Sequence, residues 1–184
     1  MTINNNQLDG NDLGALNCGF RLRNTLPATA VLNFSGNTIT EFANGIRSDD
    51  LTAGVGITVY SNSITSNSNK GILNGSGVGQ LVDASSNWWG VNTEVGVAAA
   101  VSTNVDYTPW LNVGTDMSGD PGFQGDFSFL NVSAASPQTG ATTRIQEGIN
   151  LVTGSTVNVV AGTYTESVLI NKTLSLLGPN AGID

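Results

Sequence analysis

The sequence predicts an all-β fold, a parallel β-helix in which about 25 residues form one rung. Three observations carry this expectation. A short Asn-led segment recurs as Asn6-Gln7-Leu8, Asn37-Thr38-Ile39, Asn62-Ser63-Ile64 and Asn87-Trp88-Trp89, the leading asparagines standing 31, 25 and 25 residues apart. A second series runs in phase with it: Gly19-Phe20, Gly45-Ile46, Gly71-Ile72 and Gly96-Val97, at spacings of 26, 26 and 25. Between these marks lie short apolar-polar alternations such as Ala30-Val31-Leu32 and Ile57-Thr58-Val59. They suit strands, and they are too short and too rich in Gly, Asn and Thr for helices. The interval of 31 fits a rung with an inserted loop around Thr25–Thr29, where Pro27 stands.

Stacked rungs lie about 4.8 Å apart, so equivalent side chains form ladders. Asn37, Asn62 and Asn87 are expected as a turn ladder, because Asn tolerates left-handed backbone and its amide passes hydrogen bonds from rung to rung. Two residues on, Leu8, Ile39, Ile64 and Trp89 point into the core, and Trp88, aligned with Thr38 and Ser63, faces outward. Gly45 and Gly71 mark a second turn followed by an inward residue, as in Phe20, Ile46 and Ile72. Cys18, next to Gly19, is read as a small half-buried filler.

Composition removes several chemistries. Among 184 residues there are 14 acidic and 6 basic side chains, a net charge of −8, no histidine and one cysteine. A Ser-His-Asp triad, a histidine-ligated metal and an internal disulfide are therefore excluded. The scattered basic residues form no stripe for nucleic acid. No apolar run approaches the ~18 residues of a membrane span, so no membrane insertion is expected. No basic-then-apolar signal sequence stands at the start, so the chain is expected to be either intracellular or an excised piece of a larger protein.

The Asn-x-Ile rungs ending in Asn87-Trp88-Trp89-Gly90 resemble the right-handed parallel β-helix repeats of the pectin-lyase-like superfamily. Within it they are similar to non-catalytic tandem modules of large bacterial surface and secreted proteins. A second resemblance runs from Thr143-Arg144-Ile145-Gln146-Glu147-Gly148-Ile149 through Thr156-Val157-Asn158-Val159-Val160 to Leu174-Ser175-Leu176-Leu177-Gly178. It looks like the opening of such domains, where a short amphipathic helix caps the first rung. Ile145, Ile149 and Val152 stand at the helical spacing this requires. The closing motif thus precedes the opening one. The expected organisation is late rungs over 1–90, a junction over 91–141, and a capping helix with opening rungs over 142–184. The C-terminal strands would complete the same solenoid within the chain or between chains.

The resemblance implies where activity would sit. Lyases of the superfamily use an Arg or Lys base beside acidic calcium ligands, and its glycosidases use carboxylate clusters. Here Asp9, Asp12, Glu41, Asp49, Asp50, Asp83 and Glu94 do not recur in register, so no catalytic residues are expected. At an offset of 26, Arg23 falls over Asp49 and Arg21 over Arg47. This reads as a solvated cross-rung salt bridge worth about 0.5 kcal/mol. Asp116, Asp120 and Asp126 lie among glycines and are candidate calcium ligands, the alternative being a plain linker. Trp88, Trp110, Tyr107 and Tyr60 are candidate sugar-stacking rings, the alternative being that Tyr107–Trp110 folds back over Trp88 and seals the coil. Three Asn-x-Ser/Thr triplets, at Asn33, Asn131 and Asn171, are chance matches in a chain of this composition.

The functional expectation is a structural or adhesive module, extracellular or on a cell surface, without a resident cofactor. The alternatives are a carbohydrate-binding or polysaccharide-degrading module and a head-to-tail self-assembling fibre subunit. The partners are accordingly polysaccharide or neighbouring copies of the chain.

Overall fold

The computed structural model of the chain describes residues 1–11, 17–23, 26–76 and 80–182. Asp12 and part of the expected Thr25–Thr29 insertion lie outside them. The described part of that insertion closes a turn, with Ala30 N–H donating to Pro27 O at 2.8 Å.

Three successive repeats each lay down three strands. The first holds β1 (Thr2–Asn4), β2 (Gln7–Asp9) and β3 (Cys18–Arg23). The second holds β4 (Val31–Ser35), β5 (Thr38–Thr40) and β6 (Asn44–Asp49), and the third β7 (Gly56–Tyr60), β8 (Ser63–Thr65) and β9 (Lys70–Gly75). Each strand pairs in parallel with its counterpart one repeat later: Ile3 with Phe34 and Phe34 with Val59, Leu8 with Ile39 and Ile39 with Ile64, Phe20 with Ile46 and Ile46 with Ile72. The chain is predominantly parallel β, as the repeat predicts.

Alternation sets the core. Leu32 and Phe34 of β4, Ile57 and Val59 of β7, and the column Ile39, Ile64 and Trp89 are buried in one cluster with Ile46 and Ile72. Each such side chain contributes roughly 1.5–3 kcal/mol of burial. The intervening Asn33 and Thr58 stand on the opposite face.

A fourth repeat is abbreviated. β10 (Val82–Asp83) and β11 (Val105–Asp106) extend the first sheet, while Trp88 and Val101 bridge to Ser63 and Ile72 as single residues. The stretch 91–141, expected as a junction, carries α1 (Glu94–Ala100), β11, β12 (Trp110–Leu111) and β13 (Phe129–Val132). Gly96-Val97 therefore does not continue the glycine series. It lies inside α1, whose Thr93 side chain caps Gly96 N–H, and Val101 takes the place opposite Ile72.

Parallel stacking does not run through the whole chain. β12 and β13 pair antiparallel, because the intervening residues 112–128 carry the chain back on itself. From β13 the order is parallel again, to β14 (Thr156–Val159) and β15 (Ser175–Leu177). α2 (Arg144–Leu151) buries Ile149 with Leu130, Val132, Val152 and Val157 in a second cluster. The expected amphipathic helix is thus present, packed on β13 and β14. Its N-terminal amides are held from a distance: Ile145 and Gln146 donate to the Glu166 carboxylate, a carboxylate placed where the helix dipole favours it.

The glycine column has a steric cause. A Cβ on Gly45 would lie 2.7 Å from the Gly71 carbonyl oxygen and 3.0 Å from Ile64 Cγ2. The obstacle is paired backbone, which cannot swing aside. Gly45→Ala is expected to cost about 1–3 kcal/mol in urea denaturation.

Candidate functional site

The predicted asparagines form one continuous ladder. Asn6 donates its backbone N–H and Nδ2 to Asn37 Oδ1 at 3.0 and 2.9 Å. Asn37 donates the same pair to Asn62 Oδ1 at 2.9 and 2.8 Å, and Asn62 to Asn87 Oδ1 at 2.9 Å each. Nδ2 also reaches backbone carbonyls: that of Asn62 bonds Tyr60 O at 2.9 Å and Phe34 O at 3.1 Å. Only a side-chain amide supplies both the acceptor and the two donors this pattern consumes. The left-handed residue is not the Asn, as expected above, but the one before it: Asn5, Gly36, Ser61 and Ser86 have φ of 57°, 64°, 53° and 57°. Asn37, Asn62 and Asn87 are fully buried.

The aromatic candidates fall out differently. Tyr107 and Trp110 are 4% and 0% exposed, with ring centroids 6.0 Å apart, and Trp110 Nε1 donates to Asn92 O at 3.1 Å. Neither ring presents a face on which a sugar could stack. Trp88 turns away from the first core as expected, but is half-buried against the second cluster, with its indole nitrogen beneath Gly114. The second half of the chain covers it.

Asp116, Asp120 and Asp126 are not drawn into one cluster. Asp116 Oδ1 accepts from Ser118 N–H and Gln124 N–H, and Asp126 Oδ1 accepts from Ser128 N–H at 2.8 Å. The Asp116 and Asp126 carboxylates each hold their own stretch of backbone, and Asp120 takes part through its N–H, which donates to Ser118 Oγ at 2.9 Å. Among the described residues no group of three acidic, His or Cys side chains is placed to hold a metal. The loop instead acts as a strap: Phe123 N–H donates to Gly36 O at 2.7 Å, seating Gly122 against the Asn5 and Gly36 turns.

The four charged residues keep their expected register, Arg21 beside Arg47 and Arg23 beside Asp49. The ion pairs do not follow it: one runs diagonally between strands, from Arg21 to Asp49, and the other along β6, from Arg47 to Asp49. Arg21 Nε and Arg47 Nε each approach Asp49 at 2.7 Å. Burial pushes the Asp49 carboxyl up, yet the two guanidiniums outweigh it and hold the group below its ordinary value.

The most perturbed chemistry lies outside the predicted site residues, around Asp83, which the sequence offers without a partner in register. Asp83 and Asp106 are neighbours in register on β10 and β11, and α2 brings Glu147 against them. Asp106 is fully buried and accepts from Ser136 Oγ at 2.9 Å, from Thr139 N–H at 2.6 Å and from Thr139 Oγ1 at 3.0 Å. Burial raises its pKa despite these donors. Glu147 accepts from Gln138 Nε2 at 3.0 Å. Burial, reinforced by the charges of Asp106 and Asp83, pushes it up to about 7, against lowering contacts from Ser85 and Gln138. Arg144, one turn earlier on α2, donates Nε to Ser136 O at 3.1 Å. The three carboxylates thus lie in the seam between the first sheet and the second half, one of them able to hold or release a proton near neutrality. Beside the seam is a cavity of about 450 Å³ lined by Val101, Ser102, Asn104, Val105, Tyr107 and Pro137.

These features define a mostly β protein built from parallel sheets, with β12 and β13 paired antiparallel. No family model, curated protein or solved structure matches the chain. No helix among the described residues is long and apolar enough to cross a membrane.

Proposed function

We propose that the chain is a structural and adhesive module of a large extracellular or cell-surface bacterial protein. On this reading the repeats are rungs of a right-handed parallel β-helix of the pectin-lyase-like kind. The supporting observation is the unbroken Asn6–Asn37–Asn62–Asn87 ladder, which commits the same side chain in every repeat to holding the next one. A column of buried, mutually bonded amides stiffens the stack along its length, and a net charge of −8 keeps its surface soluble. A sugar-binding role has less to rest on, since the rings of Tyr107 and Trp110 belong to the core.

The test is incubation with uronate polymers and neutral glycans, with and without calcium, reading binding and newly formed reducing or unsaturated ends. The expected result is no turnover. Turnover abolished by Asp106→Asn or Glu147→Gln would replace the structural reading with a polysaccharide-degrading one.

A further inference from the structure

The loop between β13 and α2, residues 133–143, closes the seam with side chains. Tyr107 N–H donates across it to Ser136 Oγ at 3.0 Å, and Ser133 N–H donates to Thr108 Oγ1 at 3.0 Å. Ser136 Oγ, Thr139 N–H and Thr139 Oγ1 all donate to the Asp106 carboxylate, and Ser133 Oγ donates to Glu94. Among the described residues no backbone–backbone hydrogen bond joins this loop to β10 or β11. β13 itself, by contrast, is paired through its main chain with β12 and β14. A segment held by side chains alone opens at lower cost than a strand within a ladder. The loop is also one wall of the cavity of about 450 Å³, where Ala135 and Pro137 stand across from Val101, Val105 and Tyr107.

At the base of the loop Glu147 meets like charge: Asp83 from β10 and Asp106 from β11. Ser85, which contacts Glu147, also bonds Asp83 Oδ1 at 2.9 Å. The other charged groups nearby are turned to other work. Arg144 of α2 donates to the Ser136 carbonyl at 3.1 Å, Glu94 of α1 accepts from Ser133, and Glu166 holds the first amides of α2. The phenols of Tyr107 and Tyr164 are pushed up by burial, so they stay neutral. Gln138 Nε2 donates to Glu147 at 3.0 Å, but Gln138 Oε1 is buried and has no donor among the described residues. Closure thus leaves one polar group unpaired, a cost that opening relieves.

We propose that the 133–143 loop is a proton-operated flap over this cavity: protonated Glu147 lets it lie closed on β10 and β11, and ionised Glu147 lifts it. Ionisation adds a charge to a buried seam beside Asp83 and Asp106, while Arg144 is committed to the loop's own backbone. Lifting the loop hydrates Glu147 and frees Arg144, three residues earlier on the same helix face, to pair with it. The closed seam raises the Glu147 carboxyl from 4.5 to about 7, and hydration returns it toward its ordinary value. Closure is therefore strongest below about 4.5, weakens as the pH rises to about 7, and is constant above that. The inference goes beyond the structural reading and does not rest on it.

Amide hydrogen exchange of the full chain at pH 5 and pH 8, corrected for the intrinsic rate and repeated in low urea, tests it. The reporters are the N–H groups of Tyr107, Ser133 and Thr139, each bonded to a side chain across the seam. Their protection is expected to fall on the order of a hundredfold from pH 5 to pH 8. At pH 8 it is expected to be insensitive to urea, the mark of a local opening, while the amides of β4 and β7 stay better protected and urea-dependent. Glu147→Gln is expected to keep the loop amides as protected at pH 8 as at pH 5. Asp83→Asn, at a half-buried position, removes one facing charge and is expected to shrink the fall. Loop amides that exchange at pH 8 only together with those of β4 and β7 overturn the flap. So does a wild type without the fall, an undiminished fall in Glu147→Gln, or an undiminished fall in Asp83→Asn.

Discussion

Asn62→Ala is expected to destabilise the protein by about 3–5 kcal/mol, the largest effect of any single polar substitution in the first half. The side chain is fully buried and central in the ladder. Its removal strips Asn37 N–H and Nδ2 of their acceptor and leaves Asn87 Oδ1, Tyr60 O and Phe34 O without its Nδ2. Each buried group left unsatisfied costs roughly 1–3 kcal/mol, partly relieved by relaxation. Asn62→Asp offers no rescue, because it keeps the acceptor, loses both donors and buries a charge opposite Asn87 Oδ1. Asn6→Ala is the control. Asn6 is exposed and bonded on one side only, so its loss is expected to cost under about 1 kcal/mol. Urea denaturation of the three variants reads the gradient. Equal small losses at Asn6 and Asn62 would mean that the ladder carries no shared load.

Glu147→Gln is expected to stabilise the protein above neutral pH and to leave it unchanged near pH 4. The Glu147 carboxyl is raised from 4.5 to about 7, chiefly by burial and then by the charges of Asp106 and Asp83. In the fold it keeps its proton through a range in which the unfolded chain has lost it. Its contribution to stability therefore falls as pH rises from about 4.5 to about 7 and is constant on either side. The whole drop is on the order of 2–3 kcal/mol. Gln mimics the protonated form and still accepts from Gln138, so the variant loses the slope. Asp106, raised by burial as well, acts with the same sign. Asp49 acts with the opposite one: its carboxyl is lowered, so its contribution is present above the ordinary 3.8 and is lost as pH falls below that value. The two windows do not overlap. Denaturation midpoints at pH 4, 6 and 8 decide the matter. Parallel pH profiles for wild type and Glu147→Gln would show that Glu147 does not titrate in the seam.

Why the ladder was legible and the seam was not follows from how each is made. A ladder needs the same residue type at the same phase in every repeat, so Asn6, Asn37, Asn62 and Asn87 stand out in a linear text. The close packing at Gly19, Gly45 and Gly71 leaves the same kind of trace: a Cβ on either of the first two would lie 2.7 Å from the carbonyl oxygen of the next, and one on Gly71 would meet Ile64 and Trp89. Gly96 misled because α1 is inserted just where the phase should continue, and the sheet resumes at Val101. The seam has no period. Asp83 and Asp106 stand side by side on the parallel strands β10 and β11, but Glu147 comes from α2, which lies beyond the antiparallel pairing of β12 and β13. Nothing in local spacing announces that reversal. Trp88 shows both sides at once. Its phase places it on the outer face of the β2–β5–β8 sheet, beside Ser63, and only the return of the second half makes that face a core.

Residue-resolved amide hydrogen exchange tests the central claim most directly, that a column of asparagine amides locks successive repeats together. The backbone N–H groups of Asn37 and Asn62 lie in turns but donate to Asn62 Oδ1 and Asn87 Oδ1. They are expected to exchange only with global unfolding, alongside the amides of β4 and β7, while Asn6 at the open edge exchanges sooner. Exchange at Asn37 and Asn62 as fast as in an exposed loop would contradict the account.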